Sequence, residues 1–353
     1  MCRIRVLGVC LAFLVLAGMC RAQSFVLDLP RDSQHAVVTQ RIGLTDITIN
    51  YHRPLVKGRK IWGGVVPYGE VWRAGANENT TILFSEPVTI EGNPLDRGTY
   101  GLHMIPKEDQ WTVIFSKTST AWGSFSYKQG EDALRVTVKP QQTDLHEALT
   151  YDFDNPTADS TVVTMRWEKV AVPFTVAVDT KKIVEQSLHT QLRGFSQYTW
   201  ISWDDAANYL VDNKMDLNEA LADANTSIEN EERYDNLMTK AKVLDALGRQ
   251  GDAAGARQAA IEKANAIQIY VYARQLQREK KRDEALALYR TGAKRYPEHW
   301  ITHAGMARVY CSQGDYDSAV KEMKLSLAGA PEQQKSGIEG LITRLEARQD
   351  INN

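Results

Sequence analysis

Near Asp179 the spacing of apolar residues changes from two to that of a helix, so the chain must build two cores of different kinds. Before that point Ile47, Ile49 and Tyr51 alternate with Thr48 and Asn50, and Trp111, Val113 and Phe115 keep the same spacing. Leu134, Val136 and Val138 alternate with Arg135 and Thr137, as Phe174, Val176 and Val178 do with Thr175 and Ala177. Successive side chains of a strand point to opposite faces, so these runs are strands with one buried face. Thr161 to Trp167 reads as a further strand, rich in β-branched residues. Turn signals at Glu91-Gly92-Asn93-Pro94, Asp96-Arg97-Gly98, Lys107-Glu108-Asp109 and Asp154-Asn155-Pro156 separate the runs. Residues 30–178 are therefore expected to form an all-β domain, an antiparallel β-sandwich in preference to a barrel.

Residues 180–353 carry the helical spacing, with Thr180 in an N-cap position and Gly194 as a stop. A period of 34 residues then links Ala273 to Ala307, Ala285 to Ala319, Tyr289 to Met323 and Pro297 to Pro331. This resembles the tetratricopeptide repeat, a helix pair in which small residues let the helices approach and large ones fill the gap. Two earlier units are degenerate. Asp216-Leu217-Asn218-Glu219-Ala220 marks one, and Gly251 with Ala256 and Ala260 the other, Ala256 standing 29 rather than 34 residues before Ala285. Gly337 to Arg348 would cap the array. The expectation is an α-solenoid of four helix pairs, two of them degenerate. The resemblance also implies that the first helix of each pair lines a concave groove, with its ninth residue pointing inward. Counting from Ala266 and Trp300 gives Arg274 and Arg308, with Tyr270 one turn before Arg274. Two exposed guanidinium groups beside an aromatic would suit a peptide carboxylate or acidic side chains. The alternative is that both arginines pair with acids of their own helices.

Residues 1–22 read as an export signal. Arg3 and Arg5 precede an apolar run from Val6 to Met19, and Cys20-Arg21-Ala22 supplies a cleavage site that leaves Gln23 first. The run is too short for a bilayer, which takes about 20 residues. A lipidated Cys20 is the alternative, and the bulk of Met19 argues against it. The mature chain is thus expected to be periplasmic or secreted, with no membrane span. Three of the four cysteines lie in the leader, so Cys311 alone remains and excludes an internal disulfide or a cysteine metal site. The formal charge is −2, and loss of Arg3, Arg5 and Arg21 with the leader makes it −5. No concentrated basic surface suggests a nucleic-acid partner. The run Arg278-Glu279-Lys280-Lys281-Arg282 reads as a solvated turn between helices.

The segment Arg53 to Asn79 has too many glycines and prolines for a central strand, yet Trp62, Tyr68 and Trp72 are costly to expose. A long ordered loop laid over a sheet edge or face meets both demands. Its motifs, Tyr51-His52-Arg53-Pro54, Lys57-Gly58-Arg59-Lys60-Ile61-Trp62-Gly63 and Pro67-Tyr68-Gly69-Glu70-Val71-Trp72-Arg73-Ala74-Gly75-Ala76-Asn77-Glu78, resemble those of one bacterial exported family. So do Gly98-Thr99-Tyr100-Gly101-Leu102-His103-Met104-Ile105-Pro106, Trp111 to Ser116 and Trp122-Gly123-Ser124-Phe125. The family is known only as domain of unknown function 2911. The resemblance covers roughly Pro30 to Val178 and implies an envelope location, but it supplies no activity.

Neither a Walker loop, nor H-E-x-x-H, nor G-x-S-x-G, nor G-x-G-x-x-G occurs. His299 and His303 have a spacing that can hold a metal, but His303 falls on a repeat packing position and no third ligand follows. No metal or cofactor is expected. His103 is read as a half-buried strand histidine. The sharper reading groups it with His52, Glu70, Arg73 and Glu78 in a polar pocket able to do acid–base work. Trp62, Trp72 and Trp122, with Arg73, Asn77 and Glu78, would suit a flat ligand such as a sugar; the competing reading buries the tryptophans in the core. The leading function is therefore a non-catalytic binding or scaffolding protein of the cell envelope with a protein or peptide partner. The alternatives are a hydrolase of envelope glycan or peptide, and a carbohydrate or small-ligand module.

Overall fold

The computed structural model describes residues 29–352, so the export signal, the start at Gln23 and the Cys20 alternative lie outside the described residues. The chain divides into two compact units between Thr180 and Lys181.

The first unit is two antiparallel sheets. One has the order β1 (Gln34–Ile42), β2 (Thr45–Arg53), β3 (Thr81–Phe84), β6 (Gly98–Ile105), β7 (Trp111–Ser116), β8 (Asp132–Val138). The other runs β5 (Asn93–Leu95), β4 (Val88–Ile90), β10 (Ser160–Ala177), β9 (Gln141–Asp154). Alternation does what the period predicts: Ile47, Ile49 and Tyr51 are buried on one side of β2, and Leu149 and Tyr151 on one side of β9. Rings from the two sheets then meet, Phe115 against Phe174 at 5.8 Å and Tyr51 against Tyr151 at 4.8 Å. The β4–β5 hairpin turns through Glu91 and Gly92, both with positive φ, the geometry that matches strand twist. Thr161–Trp167 and Phe174–Val178 read as separate strands, yet both fall, apart from Val178, in the single strand β10. The pairing with β9 shifts register around Glu168 and ends at Ala171, and the pairing with β4 begins at Val176. Pro173, which has no N–H for a ladder, falls in the gap between them.

The long segment between β2 and β3 is an ordered loop tied to both sheets. Val56 N donates to Glu147 O at 2.7 Å, while Trp72 and Met104 exchange two backbone bonds of 2.8 Å. It carries Trp62 into a cluster with Trp72, Trp111 and Trp167, at ring distances of 4.8 to 5.8 Å. Ala74 sits at φ 49°, and its carbonyl accepts from Tyr151 Oη at 2.8 Å and Thr80 Oγ1 at 3.2 Å. Those two bonds hold a conformation that alanine by itself disfavours.

The second unit is helical. After α1 (Thr180–Gln191) come the pairs α2 (Trp200–Asp212) with α3 (Leu217–Asn230), and α4 (Tyr234–Ala246) with α5 (Gln250–Lys263). Then follow α6 (Ala266–Arg278) with α7 (Arg282–Arg295), α8 (Trp300–Ser312) with α9 (Tyr316–Gly329), and the closing α10 (Glu332–Glu346). Thr180 is the first residue of α1 rather than its cap, and the helix stops at Gln191, ahead of Gly194. Side-chain caps at Thr199, Asp216, Asn265 and Asp315 start α2, α3, α6 and α9. The repeat alanines Ala273, Ala285, Ala307 and Ala319 are all fully buried. In the second pair that role falls to Ala253, fully buried, and not to Ala256, which is only half-buried. Position seven after each small residue, Ser227, Ala260, Gly292 and Ser326, is small in every pair, because there the helices come closest. Among the described residues no helix is long and apolar enough to cross a membrane.

Candidate functional site

In the β unit the polar residues singled out from the sequence fall into two groups. In the first, Glu78 lies 3.3 Å from His52 Nε2 and 2.5 Å from Arg31, beside a cavity of about 420 Å³ that His35 also lines. Burial lowers the His52 pKa although Glu78 pulls it up. Burial alone would raise Glu78, but its hydrogen bonds to the backbone and Arg31 and the charges of His52 and Arg31 outweigh that and hold it low. Glu70 is exposed and takes no part. Asn77 reaches Ser33 O at 3.3 Å.

The second group surrounds His103, which is 2% exposed and so fully rather than half-buried. Its Nδ1 lies 2.9 Å from Ser124 Oγ, and its ring packs 5.4 Å from Tyr127. Tyr127 donates to Asp132 at 2.7 Å, and Arg135 bonds both. The loop carrying Ser124 is held by two bare backbone positions. A Cβ at Gly101 would stand 2.5 Å from Asn79 Nδ2, the group that reaches Thr118 O and Ser119 O. A Cβ at Gly123, φ 66°, would strike the Arg73 guanidinium at 2.7 Å. Arg73 in turn lies over Phe125 at 5.2 Å, and Arg31 over Trp122 at 5.7 Å. Trp122 and Phe125 are 51% and 83% exposed.

The pocket that would have joined His103 to His52 and Glu78 thus resolves into two: the hydrogen bond of His103 goes to Ser124, and His52 pairs with Glu78. Trp62 meets three indoles in T-shaped contacts and half-buried Trp72 stacks on Trp167, which leaves Trp122 as the exposed tryptophan of that set. Arg31, Ser124, Tyr127, Asp132 and Arg135 escaped the sequence reading. Ser124 stood inside a recognised motif, but nothing in the spacing aimed it at His103.

Burial, with a smaller contribution from the Arg73 charge, lowers the His103 pKa to about 4, against a partial upward pull from Asp132. A general base works best near the operating pH, so this imidazole is a weak one and the Ser124 contact reads as a loop clasp. The sign of its pH effect follows. Below pH about 6.5 the unfolded chain binds a proton at this site, and the native chain does not until about 4, so native stability is lost across that window. The full loss is about 3 kcal/mol. Urea midpoints of the β unit, read by near-ultraviolet circular dichroism at pH 7 and 4.5, should show this fall, and His103→Gln should flatten it. An identical fall in the variant would assign the acid sensitivity elsewhere.

In the helical unit, the ninth residues of the four first helices are Asn208, Lys242, Arg274 and Arg308. Lys242 reaches Asn208 Oδ1 at 3.2 Å and Asp212 at 2.7 Å. These two residues, with Asp245, Arg257, Tyr272 and Glu284, line a cavity of about 580 Å³. Arg274 donates to Gln277 Oε1 at 2.7 Å. Arg308 is not exposed as expected: it is 4% accessible, donates to Tyr270 Oη at 3.1 Å and bonds the carbonyl of Ile351. Neither arginine pairs with an acid of its own helix in these bonds. The chain itself has come back to cover this end of the face.

An all-β domain is followed here by a helix-pair array, whose stacked repeats present an extended surface. Residues 33–176 match the family described as a protein of unknown function, DUF2911, and residues 276–336 match a tetratricopeptide repeat family. Segments similar to a DUF2911 domain and to tetratricopeptide repeats thus follow one another along the chain. No curated protein matches it. Among solved structures it is similar to YrrB, described as a TPR protein with an unusual peptide-binding site, at 16% identity and a TM-score of 0.28, over 46% of this chain and 89% of that one. It is also similar to a MamA D159K mutant, at 13% identity and a TM-score of 0.25, over 42% of this chain and 86% of that one.

Proposed function

We propose that this is an exported scaffold protein of the cell envelope that holds a peptide segment of a partner along the face made by α2, α4, α6 and α8. The supporting observation is that this face already holds a non-helical stretch of polypeptide. Arg308 bonds the Ile351 carbonyl, the Asn352 carboxamide joins Gln277 at 2.7 Å and Arg308 O at 3.2 Å, and Ile351 is 1% exposed. Side chains of first helices therefore have the reach and chemistry to grip main chain. The α2–α6 stretch remains for a partner. Its cationic Lys242 and Arg257 stand beside Asp245 and Glu284, so a peptide of mixed charge fits better than a purely acidic one.

Site-specific photo-crosslinking tests this in cells. A photoreactive residue at Lys242 or Arg274 should give a defined partner adduct, and one at exposed Lys321 on the second helix α9 should not. Equal labelling from both faces, or none from the first-helix face, would overturn the reading.

A further inference from the structure

Helix α1 carries Glu185 and His189 one turn apart, and α3 carries Glu219 and Asp223 one turn apart, so each helix offers two donors on one face. The donor atoms of Glu185, His189 and Glu219 all lie within 4.8 Å of one another, and His189 Nε2 is 2.5 Å from Glu219 Oε1. Leu188, the neighbour of His189, packs against Leu210, Val211 and Ala220 and so seats α1 against the first pair.

Asp223 supplies a separate observation. It is 6% exposed, and its buried Oδ2 has no hydrogen-bond partner among the described residues. The His189–Glu219 ion pair accounts for two of these four groups and leaves a buried carboxylate oxygen without a partner, an arrangement native interiors avoid. A cation held by Glu185, His189 and Glu219 would bring a positive charge between the helices, one turn from the Asp223 carboxylate.

We propose that Glu185, His189 and Glu219 form a binding site for a divalent first-row transition-metal ion of the zinc or manganese kind, clamped between α1 and α3, with the unpartnered carboxylate of Asp223 one turn along α3 as the buried acceptor beside it. Carboxylates alone would suit magnesium or calcium equally, and the imidazole moves the preference toward transition metals. Bonds of about 2.1 Å at a tetrahedral angle put neighbouring donors roughly 3.4 Å apart. That lies inside the 4.8 Å spread of the three atoms, and it asks His189 and Glu219 to part by about 1 Å. The His189 side chain, 55% exposed, is free to turn that far. The ion would serve as a structural clamp at the start of the helical array, where α1 buries only Ile183 and Val184 within its length. The donors lie on separate helices and repeat no known motif, so spacing along the chain does not reveal them.

The test is isothermal titration of the chelator-treated full-length protein with ZnCl2 and with MnCl2, beside MgCl2 and CaCl2. One zinc or manganese site of low-micromolar affinity is expected, with a rise in the helical melting temperature and no comparable effect of magnesium or calcium. His189→Ala and Glu219→Gln should each weaken binding at least about tenfold, as should Asp223→Asn, which keeps the side-chain shape. Glu185→Gln, at a position that is not buried, repeats the test without touching the core, and His299→Ala should change nothing. A wild-type protein that binds neither zinc nor manganese, or binding that survives in His189→Ala and Glu185→Gln, would overturn the site.

Discussion

Trp167→Ala should destabilise the β unit by about 3–5 kcal/mol, a large fraction of the roughly 5–15 kcal/mol that holds a domain together. Trp167 is 1% exposed and stacks on Trp72 at 5.8 Å, while Trp62 meets it edge-on at 5.7 Å. Alanine removes both contacts and opens a cavity under the long loop, whose own anchor is the Trp72–Met104 backbone pair. Trp167→Phe should cost markedly less, because it keeps a stacking ring. It also removes a buried Nε1–H that has no hydrogen-bond partner among the described residues. Urea unfolding of the full chain, followed by near-ultraviolet circular dichroism, gives both values. An alanine variant that unfolds at the wild-type midpoint would show that the cluster does not hold the loop to the sheets.

Arg308→Ala should cost about 3 kcal/mol, whereas Arg274→Ala should cost about 1 kcal/mol or less. The two are equivalent in sequence and differ in burial. Arg308 is enclosed by Tyr270 and the returning chain, and its loss strands the Ile351 carbonyl in a site water does not reach. Arg274 is only half-buried, and its partners, Gln277 and the Tyr289 hydroxyl, are neutral. For a unit of this size the Arg308 loss corresponds to a fall of roughly 6–12 °C in melting temperature. Arg308→Lys should fall between, since an ammonium cannot reach in two directions as a guanidinium does. Thermal melts at 222 nm together with hydrogen exchange at residues 350–352 make the check. Unchanged protection of those residues in Arg308→Ala would mean the tail is held by Ile351 packing alone.

Apolar period suffices for most of the elements. Alternation at Ile47, Ile49 and Tyr51 and at Phe174 and Val176 placed the strands, and the 34-residue spacing of Ala285 and Ala319 placed the last two helix pairs. Where the spacing slips, period misplaces the contact: the spacing points to Ala256 in the second pair, and burial assigns the packing role to Ala253. The join of two expected strands into β10 was equally hidden, since Pro173 resembles a break in the sequence and sits harmlessly in a pairing gap in the fold.

The sequence by itself determined which elements form and which faces are apolar, because both follow from side-chain direction along a single helix or strand. Tertiary structure alone decided what each polar residue meets. It set His103 against Ser124 and not Glu78, and closed Arg308 under Ile351, 43 residues on. It also gathered Glu185 and His189 of one helix with Glu219 of another. Those partners are fixed by how elements stack in space, and no local period encodes a distance between residues that the chain brings together only by folding.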